Sequence, residues 1–127
     1  MNNSDEKPPS QSQPLVGIVG VCASGKSTLI TGLNERGVRT RHIAQEHSYV
    51  KDMWKRITNP DILIFLDASY EVTVKRRQLN WTIAEWEEQQ RRLQHARQNA
   101  DLYINTDELE AEEVLNRVLG YISKPRA

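Results

Sequence analysis

The sequence predicts an α/β fold, a three-layer sandwich in which helices cover both faces of a short, mostly parallel sheet of about four strands. Two observations lead to this prediction. Short apolar runs alternate with helical patterns along most of the chain, and this alternation is typical of parallel sheets with crossover helices. The run DILIFLD at 61–67 is continuously apolar, as expected for a central strand that is covered on both faces.

The elements follow from hydrophobic periodicity and from boundary residues. Strands are predicted at 15–19, 38–44, 61–67 and 102–104. Helices are predicted at 26–35, 49–57, from Ser69 onward, from 82 to about 99, and at 108–122. The capping box Thr82-Ile83-Ala84-Glu85 marks the start of the long helix. The second strand is the least apolar, which places it nearer an edge of the sheet.

The length of 127 residues fits one domain, which we expect at 15–122. Residues 1–14 are mainly Asn, Ser, Gln and Pro, a composition that cannot bury enough apolar surface to offset ordering. They are therefore predicted to form a flexible N-terminal tail, and residues 123–127 are predicted to form a short C-terminal tail.

Composition and charge exclude several classes of function. Lys+Arg and Asp+Glu both number 17, so the chain lacks the basic field that is typical of nucleic-acid binding. No apolar run approaches the roughly 18 residues needed to span a bilayer, and residues 1–13 lack the apolar core of a secretory signal. The single cysteine, Cys22, excludes an internal disulfide and a cysteine-rich zinc site. We expect a cytoplasmic protein with no membrane partner.

The segment Gly20-Val21-Cys22-Ala23-Ser24-Gly25-Lys26-Ser27 matches the P-loop pattern Gly-x-x-x-x-Gly-Lys-[Ser/Thr]. It follows an apolar strand and opens an amphipathic helix, as phosphate binding requires. Glycine at the first position lets the chain leave the strand sharply, and glycine before the lysine lets the backbone approach a phosphate. The amides of residues 23–28 are expected to form a nest around phosphate oxygens, at the positive end of the new helix.

Two side chains complete this predicted triphosphate site. Lys26 would place its charge between the outer phosphates, and Ser27 would offer its hydroxyl to Mg²⁺. The residues predicted to hold the phosphates are Gly20, Ala23, Ser24, Gly25, Lys26, Ser27 and Thr28. No Asn-Lys-x-Asp guanine signature is present, so ATP is favoured over GTP. Cys22 is either a redox switch or a small residue tolerated at a variable position.

On these residues, the chain resembles the kinase-like branch of P-loop NTPases, which includes nucleotide, nucleoside and small-metabolite kinases. The resemblance covers about 15–122. It is carried by LVGIVGVCASGKSTLI with GLNERG behind it, by NPDILIFLDASYEVTVKRR, and by ADLYINTDELEAEEVLNRVL. It implies the P-loop NTPase fold and a compact phosphotransferase that moves the γ-phosphate of ATP to a small-molecule acceptor.

The resemblance also implies a lid after DILIFLD whose arginines clamp phosphates and offset charge in the transition state. Arg76 and Arg77 lie where the helix leads into this lid, and Arg92 lies on the following helix. The alternative is a solvated basic helix face that neighbouring glutamates balance.

The purine is expected, by the same resemblance, at the loop after the last strand. The residues at this position are Asn105, Thr106 and Asp107. The alternative is that Thr106 or Asp107 simply caps the next helix.

The sequence leaves open which acid assists Mg²⁺ or the acceptor. Asp67 ends the run DILIFLD and fits a Walker B description. Glu46 follows the second strand, at the edge where open α/β sheets form their ligand crevice, and is preferred over Asp67. The predicted catalytic residues are Lys26, Glu46, Asp67, Arg76, Arg77 and Arg92.

Two functions remain open because the segment between the second strand and DILIFLD is short. The acceptor-binding unit of such kinases is either missing or reduced to 42–56. A small ATP-dependent phosphotransferase is expected first. The alternative is a regulatory module that holds ATP, or hydrolyses it slowly, and signals to a protein partner. A nucleic-acid-associated ATPase is disfavoured by the zero net charge.

Overall fold

A computed structural model describes residues 13–77 and 80–124, which form one parallel sheet and four α-helices. The strands are β1 (Leu15–Gly20), β2 (Arg39–His42), β3 (Ile62–Asp67) and β4 (Leu102–Asn105). The helices are α1 (Lys26–Glu35), α2 (Tyr70–Arg77), α3 (Ile83–Asn99) and α4 (Ala111–Ser123). Most of the predicted tails, at 1–12 and 125–127, lie outside the described residues.

The strands are ordered β2-β1-β3-β4, and all three pairings are parallel. The predicted α/β class with a four-stranded parallel sheet is therefore confirmed. Every residue of β3 is buried, as its continuous apolar run predicts, while β2 has two exposed residues and lies at an edge. Parallel pairing brings the carboxyl ends of all four strands to one edge of the sheet, where ligands bind in open α/β folds.

Apolar residues cover both faces of the sheet. Helices α1 and α4 pack on one face, where Leu29 and Val118 meet the side chains of Ile62, Ile64 and Leu66. Helix α3 packs on the other face. The side chains in this second core include Leu63 and Phe65 of β3 and Leu93 and Ala96 of α3. The division follows from the two-residue period of a strand, which sends alternate side chains of β3 to opposite faces.

The segment between β2 and β3 differs from the predicted helix at 49–57. It contains a 3₁₀ turn at Gln45–His47 and a π-helical turn at Trp54–Thr58. The buried Gln45 side chain accepts a hydrogen bond from the Trp54 amide at 2.8 Å and donates one to the Val50 carbonyl at 2.8 Å. These bonds replace helical backbone bonds, so the predicted helix does not form and Val50 is exposed.

The predicted helix starts are confirmed after β3. Thr82 and Glu85 form the capping box that opens α3, and the Ser69 hydroxyl accepts a hydrogen bond from the Val72 amide at 3.3 Å. None of the described helices combines the length and apolarity that crossing a membrane would require.

Candidate functional site

The loop at 20–27 (loop 20–27 below) connects β1 to α1 and has an unusual backbone. A Cβ atom on Gly20 would lie 2.1 Å from the Leu66 carbonyl oxygen of the neighbouring strand, so only glycine fits there. Ala23 and Gly25 have φ angles of 63° and 106°, in the left-handed region. These conformations turn the chain tightly from the sheet into the first turn of α1.

Lys26 is the buried centre of the loop. Its ammonium group donates hydrogen bonds to the carbonyls of Gly20 at 2.6 Å and Val21 at 3.1 Å, and it lies 3.1 Å from Oε2 of Glu46. The Lys26 and Glu46 side chains are only 6% and 5% exposed. The loop therefore holds a fixed positive charge, which one carboxylate balances.

The start of α1 has donors without protein acceptors. Within residues 13–77 and 80–124, the backbone amides of Gly25, Lys26 and Ser27 donate no hydrogen bond to the protein. The Ser24 hydroxyl is also buried without a partner among these residues. First-turn amides lie at the positive end of the helix dipole, so together these groups can bind an anion.

A cavity of about 410 Å³ opens beside the loop, and we call it the loop cavity. Its lining brings together eight of the predicted site residues from three parts of the chain. They are Ala23, Gly25, Lys26, Ser27, Thr28, Glu46, Arg76 and Arg77. His42 and His47 also line it. His42 was missed by the sequence analysis, although as the last residue of β2 it lies at the carboxyl edge of the sheet.

A smaller cavity of about 210 Å³ adjoins the loop cavity, and we call it the apolar cavity. The two cavities share Gly25, Thr28 and Arg76. The apolar lining of the smaller cavity comes from Leu29, Leu109, Ala111 and Val114. A charged cavity and an apolar cavity therefore meet at the N-terminus of α1.

Thr106 joins the loop to the end of the sheet. Its hydroxyl lies 2.9 Å from the Ser24 carbonyl and 3.2 Å from the Asp67 carbonyl, and it accepts a hydrogen bond from Arg76 at 2.9 Å. The Arg76 guanidinium also donates to the Ala23 carbonyl at 3.1 Å and to the Thr106 carbonyl. Arg76 is thus fixed against both the loop and Thr106.

The other residues predicted at the purine position have different surroundings. The Asp107 carboxylate accepts a hydrogen bond from the Ser69 amide at 2.9 Å, and Asn105 accepts one from the Asp107 amide at 2.9 Å. Of the three residues, only Thr106 lines the apolar cavity. Asp107 therefore ties its turn to the start of α2, and the side chain of Asn105 closes that turn.

Asp67 does not join the loop cavity. Its carboxylate accepts hydrogen bonds from Gln90 at 3.0 Å and Tyr103 at 2.7 Å, and it lies 3.1 Å from the Arg97 guanidinium. Burial, together with the hydrogen bond to Asp67, raises the pKa of Tyr103 above its ordinary value. Strand alternation explains this placement, because Asp67 shares the α3 face of the sheet with Leu63 and Phe65, whereas α1 packs on the other face.

Arg92 lies outside the loop cavity and contacts the backbone of Glu46. Its guanidinium donates to the Glu46 carbonyl at 3.3 Å, lies 3.1 Å from the Glu88 carboxylate and stacks 4.2 Å from the centre of the Tyr49 ring. It does not line the loop cavity. Its contacts support the position of Glu46, while Arg76 and Arg77 are the arginines that face the cavity.

The fold and the site define an α/β protein with a four-stranded parallel sheet and a cationic cavity at a helix N-terminus. No protein-family model and no curated protein matches the chain.

Proposed function

We propose that the chain binds a nucleoside triphosphate, with ATP favoured over GTP, and that loop 20–27 is a P-loop that holds its phosphates. One observation carries the proposal: unpaired amides at the start of α1, the Lys26 ammonium and the Ser27 hydroxyl all meet at the loop cavity. Triphosphate oxygens would accept hydrogen bonds from these amides, and the ammonium of Lys26 lies at the same cavity.

The residues of the loop cavity also fit Mg²⁺. Ser27 is exposed, lines the cavity and makes no hydrogen bond through its hydroxyl among the described residues. Mg²⁺ prefers oxygen ligands and is commonly held by one or two protein groups together with substrate phosphates. Ser27 would hold the ion, which would neutralise charge on the phosphates.

The apolar cavity is the proposed position of the purine. It adjoins the phosphate-binding groups at Gly25 and Thr28, and its walls come from Leu29, Leu109 and Val114. A purine needs an apolar surface close to the phosphates and few polar contacts. Thr106 offers one such polar group at the same cavity.

For the reaction, we propose phosphotransfer to a small-molecule acceptor, within the P-loop NTPase fold of the kinase-like branch. Lys26, Arg76 and Arg77 supply the positive charge with which phosphotransferases stabilise the transition state. Glu46 contributes a carboxylate whose Oε1 is buried and has no hydrogen-bond partner among the described residues. That oxygen could accept the proton of an acceptor hydroxyl, which favours Glu46 over Asp67.

A regulatory ATP-binding module is the second candidate, and the segment between β2 and β3 favours it. This segment has one 3₁₀ turn and one π-helical turn, with Tyr49 and Ile57 exposed, rather than a separate acceptor-binding unit. Such a module would bind ATP without transferring phosphate to a small molecule.

Turnover assays separate the two candidates. ATP and Mg²⁺ are offered with nucleosides, nucleoside monophosphates and small sugars, and ADP release is followed for the wild type and Ser27→Ala. Acceptor-dependent ADP release that falls sharply in Ser27→Ala supports the phosphotransferase. Release at a slow rate that no acceptor changes supports the regulatory module. Equal rates for the wild type and Ser27→Ala would contradict the Mg²⁺ role of Ser27.

A further inference from the structure

Three side chains with metal-binding chemistry meet in the loop cavity. Cys22, Glu46 and His47 each place one ligand atom, a sulfur, a carboxylate oxygen and a ring nitrogen, within 4.8 Å of the other two. All three residues line the loop cavity. Each comes from a loop or turn beside the carboxyl edge of the sheet, and the P-loop pattern uses none of these side chains.

Within the described part of the chain, an unpaired carboxylate oxygen of Glu46 indicates a bound cation. Its Oε2 is paired with Lys26 at 3.1 Å, while its Oε1 is buried and lacks a partner among the described residues. A buried carboxylate oxygen without a partner is costly. A cation that binds Oε1 would satisfy it, and Oε1 would then not be available as the proton acceptor of the proposed phosphotransfer.

Gln89 holds the cysteine in place. The Gln89 side chain accepts a hydrogen bond from the Cys22 amide at 3.0 Å and donates one to the Cys22 sulfur at 3.1 Å. Hydrogen bonds to a ligand atom orient it toward a metal and adjust its charge. The thiolate is the form of cysteine that binds metal.

We propose that Cys22, Glu46 and His47 form a binding site for a thiophilic divalent cation, Zn²⁺ being the best fit. Sulfur, imidazole and carboxylate are the three ligand types that Zn²⁺ uses, and three protein ligands leave one tetrahedral position for water. Mg²⁺ avoids sulfur and nitrogen, so this site is distinct from the Mg²⁺ position proposed at Ser27. On binding, the thiol proton passes to solvent.

The geometry also allows the ion to enter. The His47 side chain is 62% exposed, and its Nε2 atom lies 3.7 Å from Oε2 of Glu46. One ligand of the cluster is therefore open to solvent. This inference does not require nucleotide binding, and its test uses the full chain without nucleotide.

Titration with Zn²⁺, followed by calorimetry, and with Co²⁺, followed by absorbance, tests the site. The chain has one cysteine and three histidines, so a thiolate-to-cobalt charge-transfer band identifies Cys22 as a ligand. Losing a group that merely orients a ligand costs about 10- to 100-fold in metal affinity, so losing a ligand should cost at least about 100-fold. Cys22→Ser and His47→Gln are expected to weaken Zn²⁺ binding by that factor.

His42→Gln is the matched control, because His42 lines the same cavity but lies outside the cluster. Its Zn²⁺ affinity is expected to match that of the wild type. Absence of Zn²⁺ binding in the folded wild type, a Co²⁺ complex without the charge-transfer band, or undiminished binding by Cys22→Ser would overturn the proposal. Should a variant fail to fold, as circular dichroism would show, the wild-type Co²⁺ spectrum alone decides whether Cys22 binds metal.

Discussion

The Lys26 ammonium lies 3.1 Å from Oε2 of Glu46, and this buried ion pair joins the first turn of α1 to the turn after β2. In the proposed triphosphate site, the lysine expected to face phosphates is thus held by a carboxylate that lies in the same cavity. Glu46 both fixes the position of Lys26 and adds a negative charge where phosphates would bind. The negative charge of Glu46 is expected to lower the affinity for ATP, whereas its carboxylate is expected to support turnover.

Glu46→Gln is expected to bind ATP more tightly and to turn it over more slowly. Removing one negative charge beside the phosphates should raise affinity about tenfold, or about 1.4 kcal/mol. Loss of the carboxylate should lower kcat, because the amide cannot accept a proton. Calorimetry and steady-state kinetics measure the two effects, with the exposed Glu35→Gln as control. Weaker ATP binding by Glu46→Gln would show that the carboxylate does not oppose the phosphates.

Thr106→Val is expected to destabilise the fold by about 2 kcal/mol, because it leaves the buried Ser24 carbonyl without its hydroxyl donor. Valine keeps the shape of threonine, so the loss isolates the hydroxyl. Thr40→Val removes an exposed hydroxyl that bonds Asn34, and it should cost less than about 0.5 kcal/mol. Urea unfolding of both variants gives the comparison, and equal costs would refute the role of Thr106 as a buried link.

Gly20→Ala is expected to cost about 3 kcal/mol, because the new Cβ would lie 2.1 Å from the Leu66 carbonyl oxygen. Gly120→Ala is the opposite case. No atom lies within 4 Å of a Cβ at Gly120, which is inside α4, so alanine should stabilise by about 0.5–1 kcal/mol. Thermal and urea unfolding measure both. A Gly20→Ala variant as stable as the wild type would mean that the loop can leave the sheet along another path.

Tyr103 is expected to ionise only above its ordinary pKa of 10.0, because of its burial and its hydrogen bond to Asp67. Arg97, which also faces this ring, acts in the opposite direction. The raised pKa means that Tyr103 contributes stability below pH 10.0, and this contribution is lost as pH rises through the folded-state pKa. The ultraviolet titration of the wild type minus that of Tyr103→Phe isolates this tyrosine. Ionisation at or below pH 10.0 would contradict the assignment.

Much of the fold could be predicted because local sequence patterns agree with the packing of the elements in the structure. The apolar run of β3 requires cover on both faces, and the structure provides it through two cores. The capping box at Thr82 involves residues within four positions of each other, so it can be recognised from the sequence alone.

The predictions that differ depend on contacts between distant residues. The turn at Trp54–Thr58 replaces a helix because the side chain of Gln45 takes over its hydrogen bonds, and periodicity does not reveal such a substitution. The environment of Asp67 is the exception, because it follows from alternation along β3, a pattern that is present in the sequence. The contact between Cys22 and Gln89, which are far apart in the chain, has no local sequence signal.

Calorimetric titration of Mg²⁺ and ATP into the wild type, Lys26→Met and Lys55→Met tests the central claim most directly. Lys55 is exposed and lies outside the loop cavity, so it controls for loss of a charge. The account predicts binding by the wild type and Lys55→Met. It predicts at least about 100-fold weaker binding by Lys26→Met, because charge-assisted hydrogen bonds to phosphate are lost. Undiminished affinity in a folded Lys26→Met variant would contradict the proposal that loop 20–27 binds the triphosphate.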